Sequence, residues 1–153
     1  MEARLVHWVE KIADRVVEER NPPFVIGAGI TTSGPAHLGT VCEFLYPWAL
    51  SQELKKRGFN TLFIFVGDIM DAFDSIPVQL KEYSNQLRDH LGKPLCDVPD
   101  VYGCHRSYGE HFLDEIRDLM EIFGVDCDVI EPANKLYDEK WYLDSVSYTH
   151  LRA

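Results

Sequence analysis

The sequence predicts an α/β fold that amounts to half of a doubly wound parallel sheet. The chain has 153 residues, 46% of them apolar and 12% aromatic, which is enough for the core of one domain. Short apolar runs alternate with amphipathic helical patterns, and this alternation is typical of parallel strands joined by right-handed crossovers. A half-sheet of three strands leaves one flank open, so we expect the chain to be part of a larger domain.

The first half of the chain supplies two predicted helices and the first strand. Apolar residues recur at helical spacing over residues 3–20, and a Pro-Pro pair then stops the helix. Residues 24–26 form a short apolar strand, which a Gly/Ser/Thr/Pro loop follows over residues 29–36. A second helix is predicted over residues 37–57, and we expect Pro47 to kink or interrupt it.

The second half supplies two more strands and two more helices. Residues 61–66 are continuously apolar, as in a strand that is covered on both faces, and an aspartate-rich loop follows them. Leucines at helical spacing predict a third helix over residues 80–91. Ser107-x-x-Glu110 has the spacing of a capping box and opens a fourth helix. Residues 125–130 are the third predicted strand.

Charge and hydropathy narrow the functional classes. Fifteen Lys and Arg against 25 Asp and Glu give a net charge of −10, which argues against a basic nucleic-acid clamp or a binder of anionic membranes. A local nucleic-acid-binding surface remains compatible with this charge. Because the sequence has no signal peptide and no apolar run of about 18–20 residues, we expect a cytoplasmic protein without a membrane partner.

Four cysteines in a chain without an export signal indicate reduced cytosolic thiols, and none of them belongs to a C-x-x-C pair. Cys104-His105, with His111 nearby, could suggest zinc, but this segment lacks the paired ligand spacing of zinc modules. We therefore expect the cysteines to be small buried hydrophobic side chains, and we expect no metal site.

The loop after the first strand is the first candidate site, because ligands of such sheets bind beyond the carboxyl ends of the strands. A P-loop would need Lys and a hydroxyl residue where this chain has Pro35-Ala36. A dinucleotide fingerprint would need a third glycine where it has Thr32. Neither motif is present. The remaining candidate is the tetrad His37-Leu-Gly-Thr40 at the start of the second helix, where free N–H groups attract anions.

The stretch Ser33-Gly-Pro-Ala-His-Leu-Gly-Thr40 resembles the HIGH signature of class I aminoacyl-tRNA synthetases, which are Rossmann-like nucleotidyl transferases. The resemblance implies ATP binding by Ser33, Gly34, His37, Gly39 and Thr40. His37 and Thr40 are the implied catalytic residues, because both can donate hydrogen bonds to a phosphate as its charge grows. Gly39 would let the backbone approach the nucleotide. The alternative is that His37 only caps the helix and Gly39 only packs.

Longer stretches resemble the class I lysyl-tRNA synthetases in particular. Residues 29–40 resemble the GITPSGxxHxGN loop of that family, and residues 98–112 resemble its VPDPxGCHxSYxEHF segment, the more specific match. His7-Trp8 and residues 92–95 are also similar, so the resemblance spans roughly residues 3 to 142. It implies activation of lysine with ATP and Mg²⁺, without a covalent enzyme intermediate, and transfer of the lysyl group to lysine tRNA.

The same resemblance points to a lysine pocket. Gly29 and Thr31 lie where the family's loop contacts the amino acid. Asp68 and Asp71, just past the second strand, could bind an ammonium group. Ordinary loop capping is the alternative role of both aspartates.

Two further segments bear on this site. Tyr108 and His111 could face the amino acid or the tRNA end, with a structural role favoured for His111. Many family members carry Arg-Lys where this chain has Asp74-Ser75, which puts a phosphate contact there in doubt. Thr40 in place of the usual Asn is a milder departure.

The domain assignment follows from the same resemblance. Residues 1–144 are predicted to be the N-terminal part of a class I catalytic domain without its KMSKS loop, and residues 145–153 to be a non-native read-through tail. We therefore expect no aminoacylation by this chain alone. Two other functions stay open, namely a different class I synthetase and a noncatalytic nucleotide- or RNA-binding module.

Overall fold

The computed structural model describes residues 7–137 and contains the predicted parallel sheet. Its three strands, in the order β1-β2-β3, are β1 Phe24–Thr31, β2 Thr61–Asp68 and β3 Val129–Pro132. β1 and β2 pair from Phe24 opposite Thr61 to Thr31 opposite Asp68. Both strands therefore end at the same edge of the sheet, and the loops that follow them meet there.

Long helices precede and connect the strands, as the sequence predicts. The helices are α1 Trp8–Glu19, α2 Leu38–Lys56, α3 Ser84–Leu87, α4 Tyr108–Ile122 and α5 Ala133–Tyr137. α2 runs through Pro47 without a break, so the expected interruption is wrong. Phe44 and Leu54, on either side of the proline, are both 0% exposed, and this burial holds both halves of α2 in place.

The segment before α4 differs from the helix predicted over residues 80–91. It consists of 3-10 turns at Val78–Tyr83 and Arg88–His90, on either side of α3. Leu80 has non-helical backbone angles (φ −107°, ψ 19°) although its side chain is only 1% exposed. Leu80 and Leu87 are buried in a local core, which short turns achieve as well as a continuous helix does, whereas Leu91 is 44% exposed.

The third strand begins at Val129 rather than at residue 125. Just ahead of it, Asp128 Oδ2 accepts the Phe63 N–H at 2.7 Å and a hydrogen bond from Lys55 Nζ at 2.9 Å. A side chain therefore replaces the backbone partner that a strand would offer to β2 at this point. Val125 is still buried. The apolar run over residues 125–130 therefore predicted burial correctly but predicted too long a strand.

Two clusters of buried side chains position the loops at the end of the sheet. The first packs α2 and α4 against the sheet and contains Val41, Phe44, Phe63, Phe65, Ile116, Met120 and Val125. The second packs the segment between β2 and α4 against the first turns of α4 and contains Phe73, Leu80, Leu87, Leu95, Val98, Tyr108 and Phe112. Gly109 allows the close contact, because a Cβ there would lie 2.9 Å from Ile69 Cβ.

Three other expectations concern the cysteines, the membrane and the tail. None of the four cysteines is buried, and Cys104 is exposed in a polar turn, so the expectation of buried hydrophobic cysteines is wrong. Within residues 7–137, no helix is long and apolar enough to cross a membrane. The predicted tail at residues 145–153 and the predicted domain end at residue 144 lie outside the described residues.

Candidate functional site

A cleft of about 470 Å³ lies at the carboxyl ends of β1 and β2, where the sequence predicts a ligand. One wall is the loop between β1 and α2, and the other is the segment that follows β2. The lining residues are Ile30, Thr31, Ser33, Gly34, Pro35, His37, Thr40, Asp71, Ala72, Asp74, Ser75, Pro77 and Gln79. The structure thus brings together the predicted residues Thr31, Ser33, Gly34, His37, Thr40 and Asp71.

His37 is the N-cap residue of α2, and the helix uses one of its ring nitrogens. Nδ1 accepts the Thr40 N–H at 3.3 Å, and Thr40 Oγ1 accepts the His37 N–H at 3.2 Å. This reciprocal capping box is not evident from the sequence, because its usual form has Ser or Thr at the cap and Glu or Gln three residues later. Since Nδ1 accepts, the neutral ring carries its proton on Nε2, which is left to donate to a ligand.

Gly39 provides space for the His37 ring. A Cβ at Gly39 would lie 2.8 Å from His37 Cε1 and 2.9 Å from His37 Nδ1. Gly39 is not among the residues that line the cleft, so the space that it leaves is taken by the imidazole. Thr40 is 4% exposed, and its hydroxyl is already engaged with the His37 backbone.

The loop between β1 and α2 rests on α4. Tyr108 is 0% exposed, and its hydroxyl donates to the Ser33 carbonyl at 2.9 Å. Burial raises the pKa of Tyr108, so the phenol stays protonated and able to donate. Farther along the loop, the Ala36 N–H donates to Glu115 Oε1 at 2.9 Å, a contact that the sequence analysis missed. Tyr108 thus lies beneath the loop and outside the cleft lining.

A second pocket, of about 300 Å³, holds Gly29 and Asp68, two further residues predicted near the amino acid. It is lined by Gly29, Ile30, Thr31, Val66 and Asp68. Thr31 lines both pockets, and its hydroxyl donates to Asp71 Oδ2 at 2.8 Å. Asp68 Oδ1 caps the loop by accepting the N–H groups of Met70 and Asp71 at 3.0 and 3.1 Å. Loop capping thus occupies one oxygen of Asp68.

The larger cleft is acidic. Asp71 and Asp74 line it, and none of its lining residues in the described part of the chain is Lys or Arg. The donors available to an anion there include the His37 ring, the side chains of Ser33, Ser75 and Gln79, and the N–H groups of the first turn of α2. A polyanion such as a triphosphate would therefore need a divalent cation to offset the two carboxylates.

A separate polar cluster lies just before and within the first turn of α4. One ligand atom from each of Asp100, Cys104, His105 and His111 lies within 4.8 Å of the others. Cys104 Sγ is 3.1 Å from His105 Nδ1 and 3.3 Å from His111 Nδ1. His111 also stacks on Tyr102, with ring centroids 4.6 Å apart. His111 therefore belongs to this cluster and does not line the cleft.

Asp100 anchors the cluster. Its side chain is 2% exposed, and its Oδ2 accepts the N–H groups of Cys104 and His105, both at 2.9 Å. Burial, the largest single influence, raises the pKa of Asp100, but the backbone hydrogen bonds outweigh it and lower the pKa to about 2. A charged carboxylate beside a thiol and two imidazoles is a donor set that Zn²⁺ accepts. Asp100 is not evident from the sequence as a ligand, because the usual zinc spacings pair Cys and His alone.

The chain matches the family described as tRNA synthetases class I (K) over residues 6–150. It is 32% identical over 144 residues to the lysine–tRNA ligase of Pyrococcus horikoshii, an alignment covering 93% of this chain and 27% of the relative. It is 33% identical over 138 residues to the lysine–tRNA ligase of Archaeoglobus fulgidus, covering 90% of this chain and 27% of that relative. The chain thus spans about a quarter of the length of these curated relatives.

Proposed function

Because the chain belongs to the family of class I tRNA synthetases (K), we propose that the full-length protein containing it activates lysine with ATP and attaches it to lysine tRNA. The observation that carries the proposal is the position of His37, which caps α2 through Nδ1 and lines the cleft with Nε2 left to donate. Lysine as the amino acid is supported by the relatives, which are named lysine–tRNA ligases. With lysine tRNA as substrate, we expect a cytoplasmic location.

In the first step, the lysine carboxylate attacks the α-phosphate of ATP, which gives lysyl-adenylate and releases pyrophosphate. Negative charge grows on the phosphate oxygens in the transition state, and donors already aimed at them lower the barrier. His37 Nε2–H, the first N–H groups of α2 and the hydroxyl of Thr40 are the proposed donors. The substrate is ATP with Mg²⁺, whose charge offsets the acidic lining of the cleft.

The pocket at the end of β1 is proposed to hold lysine. The hydrogen bond between Thr31 and Asp71 fixes a carboxylate at the border of the two pockets, and Asp68 has a second oxygen beyond its capping role. A carboxylate partner for an ammonium group suits either amino group of lysine. Gly29 packs directly on the neighbouring strand, since a Cβ there would lie 2.6 Å from the Val66 carbonyl oxygen.

The second step transfers the lysyl group from the adenylate to the terminal ribose of lysine tRNA and releases AMP. In class I enzymes the attacking group is the 2′-hydroxyl. The transfer requires that the adenylate stay in the cleft while the tRNA end enters. No covalent bond to the protein is needed, because the adenylate itself is the activated intermediate.

Lysine-dependent exchange of pyrophosphate into ATP tests the proposal on the full-length protein. We expect exchange with lysine and none with glutamate or arginine, and we expect no exchange by the 153-residue chain alone. Exchange that depends on another amino acid would identify a different class I synthetase. ATP binding without exchange, under any amino acid, would identify a noncatalytic nucleotide-binding module.

A further inference from the structure

We propose that Glu115 is a positioning residue for adenylation and acts through the loop that presents His37; this inference rests on the proposed function. The Ala36 N–H donates to Glu115 Oε1 at 2.9 Å, although 79 positions separate the two residues. Ala36 immediately precedes His37. The hydrogen bond therefore fixes the backbone from which the imidazole projects.

Helix α4 holds this loop at two points. Tyr108 donates to the Ser33 carbonyl at 2.9 Å, and Glu115 accepts the Ala36 N–H. Tyr108 and Glu115 are two helical turns apart, so their side chains project from the same face of α4. Both ends of the segment 33–36 are thus bonded to one rigid element, and His37 cannot shift relative to the cleft without loss of a bond.

Other roles explain the Glu115 side chain less well. Arg117, the nearest arginine in sequence, pairs with Asp114, and among residues 7–137 no ion pair involves Glu115. A negative charge near a triphosphate site opposes binding of the nucleotide. The useful property of Glu115 is therefore the position of its hydrogen-bond acceptor.

Exchange kinetics of the full-length protein test the inference. Glu115→Ala removes the acceptor, and we expect it to lower kcat by about 10- to 100-fold, as when a catalytic group is displaced by about 1 Å, with KM for lysine changed less than about threefold. Glu115→Gln keeps an acceptor of the same reach, so its kcat should stay within about threefold of the wild type. Glu121→Ala, exposed near the end of the same helix, is the matched control and should have no effect.

A double variant separates positioning from general damage. If Glu115 acts through His37, Glu115→Ala in a His37→Ala background should be no slower than His37→Ala alone. If the losses of kcat from the two single substitutions multiply in the double variant, the inference is overturned. A Glu115→Gln variant as slow as Glu115→Ala would also overturn it. If Glu115→Ala fails to fold, Glu115→Asp withdraws the acceptor, keeps the charge and should show the same loss of kcat.

Amide hydrogen exchange gives a measurement that does not need activity. We expect the Ala36 amide to exchange faster in Glu115→Ala than in the wild type, at an unchanged midpoint of unfolding. Equal exchange rates would overturn the inference. If the wild type shows no lysine-dependent activity, the proposed function fails, and the Ala36 amide still shows whether Glu115 fixes the loop.

Discussion

His37 caps α2 through one ring nitrogen and, in the proposed function, donates to phosphate through the other, and its neighbours in the tetrad explain how. Nδ1 accepts the Thr40 N–H, so the ring is held against the helix and the tautomer with a proton on Nε2 is fixed. Gly39 leaves the space that the ring occupies. Thr40 accepts the His37 N–H, a bond that the side-chain oxygen of an Asn at this position could also accept.

Substitution of His37 by Asn is expected to separate its two tasks. Asn is a good N-cap residue, so His37→Asn should keep the stability of the protein, while His37→Ala should lower the free energy of unfolding by about 1 kcal/mol. Both variants lack the Nε2–H donor, and we expect both to slow adenylation by about 10²–10³-fold. The measurements are single-turnover adenylate formation by the full-length protein and urea unfolding.

A His37→Asn variant that retains the wild-type rate would show that the ring only caps the helix. If the adenylation rate falls only in the variant that also has a lower free energy of unfolding, the ring again only caps the helix.

At the scale of elements, features that depend on neighbouring residues could be predicted from the sequence. Contacts between residues far apart in the chain could not. The N-terminus of α2, capped by His37, and the tetrad of residues 37–40 are contiguous in the chain, so the sequence alone indicates both. Asp100 joins its cluster through a tight turn, and Glu115 meets Ala36 across 79 positions. The helix predicted over residues 80–91 is wrong. Leu80 is buried by a 3-10 turn there, so the burial of an apolar side chain did not require a continuous helix.

The sequence predicts no metal site, but the fold brings Asp100, Cys104, His105 and His111 together, so we now expect this cluster to bind one Zn²⁺ per chain. Co²⁺ in its place should give the absorption bands of tetrahedral coordination, because four donors converge on one point. Cys104→Ser should weaken Zn²⁺ binding by about 100-fold or more. Cys96→Ser, outside the cluster, is the control, and equal effects of the two substitutions would contradict the prediction.

Asp128 is expected to make the junction between β2 and β3 sensitive to acid. The Phe63 N–H and then Lys55 hold the pKa of Asp128 below its ordinary value of 3.8. Such a carboxyl stabilises the fold fully above its ordinary pKa, and the contribution is lost as the pH falls through the lowered pKa of the folded state. Asp128→Ala should therefore lower the free energy of unfolding by about 1–2 kcal/mol at neutral pH and by less in acid.

Urea unfolding of the wild type and of Asp128→Ala at neutral pH and near pH 3 measures this difference. Asp126→Ala changes an exposed carboxylate two positions earlier and should have little effect at either pH. If Asp128→Ala lowers the free energy of unfolding equally at both pH values, the charged carboxylate is excluded as the cause.

At the scale of the whole molecule, strand order explains which face of the sheet is covered. Crossovers between parallel strands are right-handed in nearly all proteins, so the order β1-β2-β3 places α2 and α4 on the same face. Phe44 of α2 and Ile116 of α4 accordingly pack in one core with Phe63. A doubly wound sheet covers its second face by reversing the strand order, and this is the sense in which the described fold is half of one.

The opposite face of the sheet is expected to drive self-association of the 153-residue chain. Val25 and Leu62 are cross-strand neighbours on this face and are 61% and 37% exposed. Exposed apolar patches beside an edge strand favour association, so lysine at both positions should shift sedimentation velocity towards monomer without changing the circular dichroism spectrum. Ile122→Lys, at a 76% exposed position at the end of α4, is the control. A wild-type chain that stays monomeric as its concentration rises, or an equal effect of Ile122→Lys, would contradict the prediction, because association would then not depend on this face.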